Sequence, residues 1–526
     1  MDRPVNIVIG SGPAGAACAS ALVSRGENVL MLDAGIELEP ELAKIVRELS
    51  ESPYSAWQPV QLEAIRGDTI PDAKGIPIKK LFGSDFPYRE TEEKIPWRGP
   101  GIALRPSLAF GGLSNVWGAT MLSHRDQDIS EWPVKNSELA EHYRAAAQIT
   151  GLAACHDDLE DEFPLHCQKP DALRPSRQAA LLLLNLQRRR DALRARGWRF
   201  GQSRLAVRSA DSPRGPGCVY CAGCMTGCPY GCIYNSADTV RAMQRETNFR
   251  CQTDVIVTML RENPDGVVIE GFNRLTRAPL SFKAGRVYLG AGVIPTAQIL
   301  LRSQGAFDRA LILRDSQYFL FPILLFRRVR DVHAETLHTL SQVFLELDRR
   351  QISRRPVHLQ IYTYSDIIGQ AVRNTAGPLR DFARPIEERL LVVQAYLHSD
   401  ESSVIEMQLK RDGRKDFLQL EPRLNPETPR IIKRVLRELL VQFRGLGGVP
   451  LLPMLKIGEP GHSFHSGGSI PMRMSPRNFE SDCLGRPSGW SRVHVVDASV
   501  LPSIPATTIT FSVMANAHRI GSQSLP

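Results

Sequence analysis

The stretch Val5-Asn6-Ile7-Val8-Ile9-Gly10-Ser11-Gly12-Pro13-Ala14-Gly15, with the Ala-rich run to Arg25-Gly26 and then Asn28 to Leu32 and Asp33, decides the fold. A β-branched apolar run, a glycine turn, a helical stretch and a second buried run give strand, turn, helix and strand in about thirty residues. That context turns a weak glycine match into a dinucleotide-binding fingerprint. Gly10 allows the tight turn, Gly12 lets backbone approach a pyrophosphate, and Gly15 lets the helix pack closely on the sheet. The phosphates then meet the unpaired N–H groups at the helix start. Asp33, ending the second strand, is placed to accept hydrogen bonds from a ribose hydroxyl. The motif alone does not separate NAD from FAD.

Length and composition bound the rest. At 526 residues the chain is long enough for two cores, a cofactor domain and a substrate domain. Apolar residues at 43% and charged residues at 23% are ordinary for a globular protein. The net charge of +9 comes from scattered arginines, such as Arg188 to Arg190, Arg349, Arg350, Arg354 and Arg355, with no basic tail. This reads as a solvated face, and no recognition motif accompanies it, so nucleic acid is not expected as a partner. No run of 18 or more apolar residues occurs, which argues against a transmembrane segment. The glycine pattern argues against reading Val5 to Leu22 as a signal peptide, and a cytoplasmic location is the expectation.

Along the chain, Arg177 to Arg196 reads as a helix with a leucine face, stopped by Gly197. Residues 254 to 303 read as short strands closing on Val287 to Gly292. Val357 to Tyr364 is strand-like, and the last seventy residues return to punctuated strands with a final helix from Ser512 to Arg519. The end of the chain is therefore expected to rejoin the first domain.

Three further segments, taken with the fingerprint, resemble the glucose-methanol-choline (GMC) oxidoreductases, FAD-dependent enzymes that oxidise alcohols and sugars. Gly111-Gly112-Leu113-Ser114-Asn115-Val116-Trp117-Gly118, followed by Glu131-Trp132-Pro133, is similar to the loop that wraps the flavin, with Leu113 where a small residue is usual. Gly290-Ala291-Gly292 with Pro295-Thr296 is similar to the second signature, beside the adenosine half. His465-Ser466-Gly467-Gly468 with Met472, and Val495-Val496-Asp497-Ala498-Ser499-Val500-Leu501-Pro502, resemble the family's His-x-x-Gly motif and its last flavin-contacting turn. The blocks cover about two hundred residues in the right order.

The resemblance implies an α/β chain: a Rossmann-like FAD-binding domain from 1–40, 101–310 and 455–526, and an α+β substrate-binding cap with an antiparallel sheet from 41–100 and 311–454. It also implies FAD held near Gly10, Gly12, Gly15, Asp33, Gly111, Gly112, Ser114, Asn115, Trp117, Gly118, Gly290, Ala291, Asp497 and Ala498. Alcohol oxidation needs a base for the hydroxyl proton while hydride leaves for flavin N5, and imidazole titrates in the useful range. His465 is the candidate. The family's second His or Asn falls on Thr508, which makes hydrogen bonds but is no base near neutral pH. Either His465 acts alone while Thr508 orients the alcohol, or another histidine such as His462 supplies the second group, or dehydrogenase activity has been lost and a flavin-binding protein remains.

Five of the ten cysteines crowd between Cys218 and Cys232. Cys218-x2-Cys221-x2-Cys224-x3-Cys228-Pro229 has ferredoxin spacing, although there the fourth cysteine serves a second cluster and no second run exists here. A 3Fe-4S cluster on three thiolates, a 4Fe-4S cluster completed by Cys228 or Cys232, zinc, and bare thiols all remain open. Some bacterial sugar dehydrogenases of the resembled family hold a cluster in a similar loop, which would pass electrons to a redox partner rather than to oxygen. The expected substrate is a small-molecule alcohol, foremost a sugar or polyol. A long-chain or lipid-linked alcohol is the alternative that the basic surface suits.

Overall fold

A computed structural model describes residues 5–67, 79–377, 383–413 and 415–524. The expected domain ranges also run through 1–4, 68–78, 378–382, 414 and 525–526, which lie outside the described residues. Among the described residues no helix is long and apolar enough to cross a membrane.

The first run folds as read. Asn6–Ile9 is a buried strand, Pro13–Ser24 a helix and Val29–Leu32 a second strand. Five parallel strands form the sheet, in the order Val493–Val495, Arg286–Leu289, Asn6–Ile9, Val29–Leu32 and Phe249–Gln252. Residues near both ends of the chain thus lie in one sheet. The closing helix, Thr510–Gln523, is longer than expected and packs on Pro13–Ser24. The contact is close because a Cβ on Gly521 would lie 2.8 Å from the Cys18 carbonyl oxygen.

A second sheet holds seven strands. Gly448–Pro450, Tyr318–Leu325, Leu390–Tyr396, Val357–Tyr362, Val343–Leu347 and Trp198–Gln202 follow one another, and Lys456–Ile457 adds to Tyr318–Leu325. Every pairing is antiparallel. Trp198–Gln202, assigned from sequence to the nucleotide domain, pairs with Val343–Leu347 instead. The helix preceding it is broken at Arg189 into Arg177–Arg188 and Arg190–Arg194. The reason for the strand's placement is its apolar face: Trp198 and Phe200 join Leu182 and Leu186 in the core under the helix Thr428–Leu446.

That sheet has two buried faces. Phe319, Phe321, Leu345, Leu359, Ile361 and Val393 point into the helix-covered core. The alternate positions, by the strand period of two, point the other way. They carry Tyr318, Glu346, His358, Gln360, Tyr362, Gln394 and Tyr396, and of these only Gln394 is more than 8% exposed. A sheet buried on both faces with one of them polar is covered by something other than solvent.

Candidate functional site

The glycine turn at the end of the parallel sheet is shaped by what a side chain would strike. A Cβ on Gly15 would lie 1.9 Å from the Gly10 carbonyl oxygen, so helix and turn touch there. Gly10, at φ +98°, meets Gly290 and Ala291 from the neighbouring strand end. Around Gly12 a Cβ would meet nothing within 4 Å. The helix start carries neither a side-chain cap nor an acidic residue in its first turn. The N–H groups of its first turn are thus left without a side-chain cap, as an anion site requires.

The loop Gly111–Gly118 folds over this turn. The Gly111 N–H donates to Ser11 Oγ at 2.8 Å, and Ser114 and Asn115 bond to Ser236 and Asn235 at the start of the helix Ser236–Met243. Trp117 donates through Nε1 to the Tyr234 carbonyl at 2.9 Å. A Cβ on Gly118 would sit 3.6 Å from the Tyr362 hydroxyl, so the polar face of the seven-stranded sheet looks onto this loop. The two acidic candidates both brace backbone. Asp33 accepts from the N–H groups of Ser11 and Gly35, and burial pushes its pKa up to about 6. Asp497 accepts from Gly292, Thr296 and Ser499, next to Ala498.

His465 follows a turn held by Asp315, whose carboxylate accepts from the Gly461 N–H and from the hydroxyls of Ser463 and Ser466, each at 2.8 Å. The imidazole stacks on Tyr396 with centroids 4.9 Å apart, and its Nδ1 is enclosed without a partner among the described residues. Burial, helped by His358 and His124, pushes its pKa down to about 3. The ring is therefore neutral and able to accept a proton. Thr508 accepts from the Leu122 N–H at 3.2 Å, which leaves its own proton to donate. His462 stacks on Tyr318, 5.1 Å between centroids.

Several residues here went unread in the sequence. His124 and His398 are buried, each with Nε2 lacking a partner among the described residues, and burial lowers both to a pKa of about 4. His358 lies 2.5 Å from Glu346 through Nδ1, and Gln360 reaches its Nε2 at 3.2 Å. The Tyr362 hydroxyl donates to Gln360, and the Tyr396 hydroxyl to Gln394. The signal available was alternation: His358, Gln360 and Tyr362 interleave with Val357, Leu359 and Ile361 in one strand.

The cysteine loop forms its own cavity. Cys218, Cys221, Cys224, Cys228 and Cys232 all line it, together with His338. Tyr220 and Ala222, either side of Cys221, take left-handed φ values of 59°. Such strain in two non-glycine residues persists only where the surroundings impose it. All five thiols are free. Burial pushes Cys218 and Cys221 up to about 12, whereas hydrogen bonding from Cys232 pulls Cys228 down to about 6. One zinc holds its thiolates about 2.3 Å away, so no two of them are more than about 4.6 Å apart. Among the described residues the one group of three or more metal-ligating side chains with ligand atoms within 4.8 Å is Asp331, His333 and Glu388, with no cysteine. Among the described residues no three of these thiols therefore stand at the spacing one zinc ion requires.

Comparison with known proteins places this geometry. No family model matches the chain. No curated protein matches it either. Among solved structures it is similar to pyridoxine 4-oxidase from Mesorbium loti, at 15% identity and a TM-score of 0.60 over 99% of each chain. It is also similar to formate oxidase, at 15% identity and a TM-score of 0.58 over 100% of this chain and 98% of the other. An Aspergillus oryzae formate oxidase variant, studied for FAD modification, gives 14% identity and a TM-score of 0.57 over the same shares. The chain thus has the fold of these oxidases from end to end, an α/β layer around a parallel sheet joined to a second, antiparallel one.

Proposed function

We propose that the protein is an FAD-dependent enzyme of GMC type that oxidises an alcohol group, most suitably on a sugar or polyol. One observation carries this reading: a neutral, partly enclosed His465 stands beside a buried polar sheet face that looks onto the loop Gly111–Gly118. The neighbours' names and the sequence resemblance support the cofactor and the class.

The uncapped helix start at Gly12 suits the diphosphate, with Gly10, Gly15 and Gly290 keeping backbone close, and the loop from Gly111 to Gly118 suits the ring system. Bound there, FAD supplies the hydride acceptor. His465 takes the hydroxyl proton at its unpaired Nδ1, the ring being unprotonated before reaction. Thr508 donates to the substrate oxygen. Gln360, Gln394, Tyr362 and Tyr396 offer amide and phenol groups to further hydroxyls, and aromatic faces to a ring. This wall favours a polyhydroxylated substrate over a long-chain one, because hydroxyls can use the donor and acceptor capacity these groups have beyond their bonds to one another, and an alkyl chain cannot. An iron–sulfur cluster, 4Fe-4S or 3Fe-4S, in the cavity of Cys218, Cys221, Cys224 and Cys228 is the second cofactor in this reading.

The test is anaerobic mixing of the purified protein with sugars, polyols and long-chain alcohols. Bleaching of the bound flavin by a polyol is expected. Bleaching by long-chain alcohols alone overturns the substrate class, and bleaching by none overturns the activity.

A further inference from the structure

Resting on the proposed alcohol oxidation, we infer that Glu346, acting through His358 and Gln360, makes the Tyr362 hydroxyl a hydrogen-bond acceptor toward the substrate. The group bound there must then be a donor, a free hydroxyl rather than an ether or a carbonyl.

The four side chains form one row. Glu346 and His358 lie opposite each other on paired antiparallel strands, and Gln360 and Tyr362 follow His358 on the same face of its strand. His358 Nδ1 lies 2.5 Å from Glu346 Oε1, Gln360 Nε2 lies 3.2 Å from His358 Nε2, and the Tyr362 hydroxyl lies 3.3 Å from Gln360 Oε1. The far end of the row reaches the loop Gly111–Gly118, where a Cβ on Gly118 would be 3.6 Å from the Tyr362 hydroxyl. No member is more than 8% exposed. The imidazole is held between the Phe344 ring, 5.0 Å away between centroids, and the Tyr396 ring, 6.1 Å away.

Each bond in this row fixes the direction of the next. A carboxylate only accepts, so His358 carries its proton on Nδ1. The Gln360 amide nitrogen only donates, so Nε2 beside it is bare; a proton there would set donor against donor. With its nitrogen spent on His358, the amide shows its oxygen to Tyr362. The phenol proton is thereby committed to Gln360, and what Tyr362 has left for a substrate is the accepting capacity of its oxygen. Burial keeps bulk water from reversing the sequence. A substrate oxygen without a proton would meet this oxygen lone pair to lone pair, and inside an enclosed site that mismatch costs affinity. Glu346 thus sets specificity without touching the substrate.

The test uses the full-length protein with its flavin. Nitrogen-15 NMR of labelled histidine reads the tautomer, with His358 assigned by the signals lost in His358→Gln. A protonated Nδ1 and a bare Nε2 are expected in the wild type, and the opposite tautomer overturns the inference. Glu346→Leu removes the acceptor at Nδ1, which frees the ring to protonate at Nε2 and the amide to turn round, whereas Glu346→Gln keeps a carbonyl acceptor. Flavin reduction is then followed anaerobically with hexoses and hexitols. The best of them is compared with its analogues carrying one fluorine in place of a hydroxyl that is not oxidised, because fluorine cannot donate. In the wild type one analogue should raise KM on the order of tenfold over the parent with little change in kcat. Glu346→Leu should erase that penalty and Glu346→Gln should retain it. Analogues that all match the parent in the wild type, or a full penalty remaining in Glu346→Leu, overturn the specificity and leave the proposed activity standing. Reduction by none of the sugars overturns the activity and the specificity together.

Discussion

The two faces of the seven-stranded sheet are buried to nearly the same degree and are chemically opposite. Leu359 and Ile361 on one side and His358 and Gln360 on the other are each at most 2% exposed. The first pair is covered by helices Arg177–Arg188 and Thr428–Leu446 and gains stability from burial alone. The second pair gains none that way, since burying polar groups costs free energy unless they are bonded. On that face Glu346 keeps one carboxylate oxygen, and His465, stacked on Tyr396, keeps Nδ1, enclosed without a partner among the described residues. Adjacent residues of one strand thus serve stability and chemistry separately.

The sharpest way to break that contrast is to substitute neighbours on opposite faces. Leu359→Ala should cost about 2–5 kcal/mol of stability, with little change in the rate of flavin reduction by the molecules that remain folded. Gln360→Leu should cost no more than about 1–2 kcal/mol, yet lower kcat/KM roughly tenfold or more through lost substrate hydrogen bonds. Urea unfolding and anaerobic stopped-flow traces on both variants decide it. Equal kinetic losses in the two would mean that the faces are not functionally distinct.

A smaller effect follows from the neutral imidazoles. His124 and His398 have pKa values near 4 and His465 near 3, all below the unfolded value of about 6.5. The unfolded chain therefore binds more protons between about pH 6.5 and 4, so these groups withdraw stability as pH falls through that window. Asp33 and Asp315, raised to about 6, act in the opposite sense, since their folded forms bind protons first on acidification. With His142, His166, His338 and His494 also lowered to about 4, the imidazoles outnumber Asp33 and Asp315, so acidification brings a net loss, and His398→Gln should flatten the dependence of the melting temperature on pH. A steeper dependence in that variant would mean that His398 is charged in the folded protein. By the same values the rate of flavin reduction should show no inflection near pH 6.5.

Much of the nucleotide half was legible because local sterics dictate it. Gly10 at φ +98° and Gly15 against the Gly10 carbonyl oxygen tolerate no other residue, so the physics is written at single positions. The His465 segment was legible by resemblance, and the thiols by their spacing. The polar sheet face was not, because Gln360, Gln394, Tyr362 and Tyr396 come from strands far apart in sequence and mean something only in register. Trp198–Gln202 was misplaced for a related reason: its partner strand begins at Val343, more than a hundred residues on.

The assignment of His465 as the base bears most directly on the account. His465→Asn is purified with its flavin and mixed anaerobically with a polyol that reduces the wild type. The account predicts retained FAD and a reduction rate lower on the order of 10² to 10⁴-fold. Reduction at the wild-type rate, with flavin content unchanged, would contradict it.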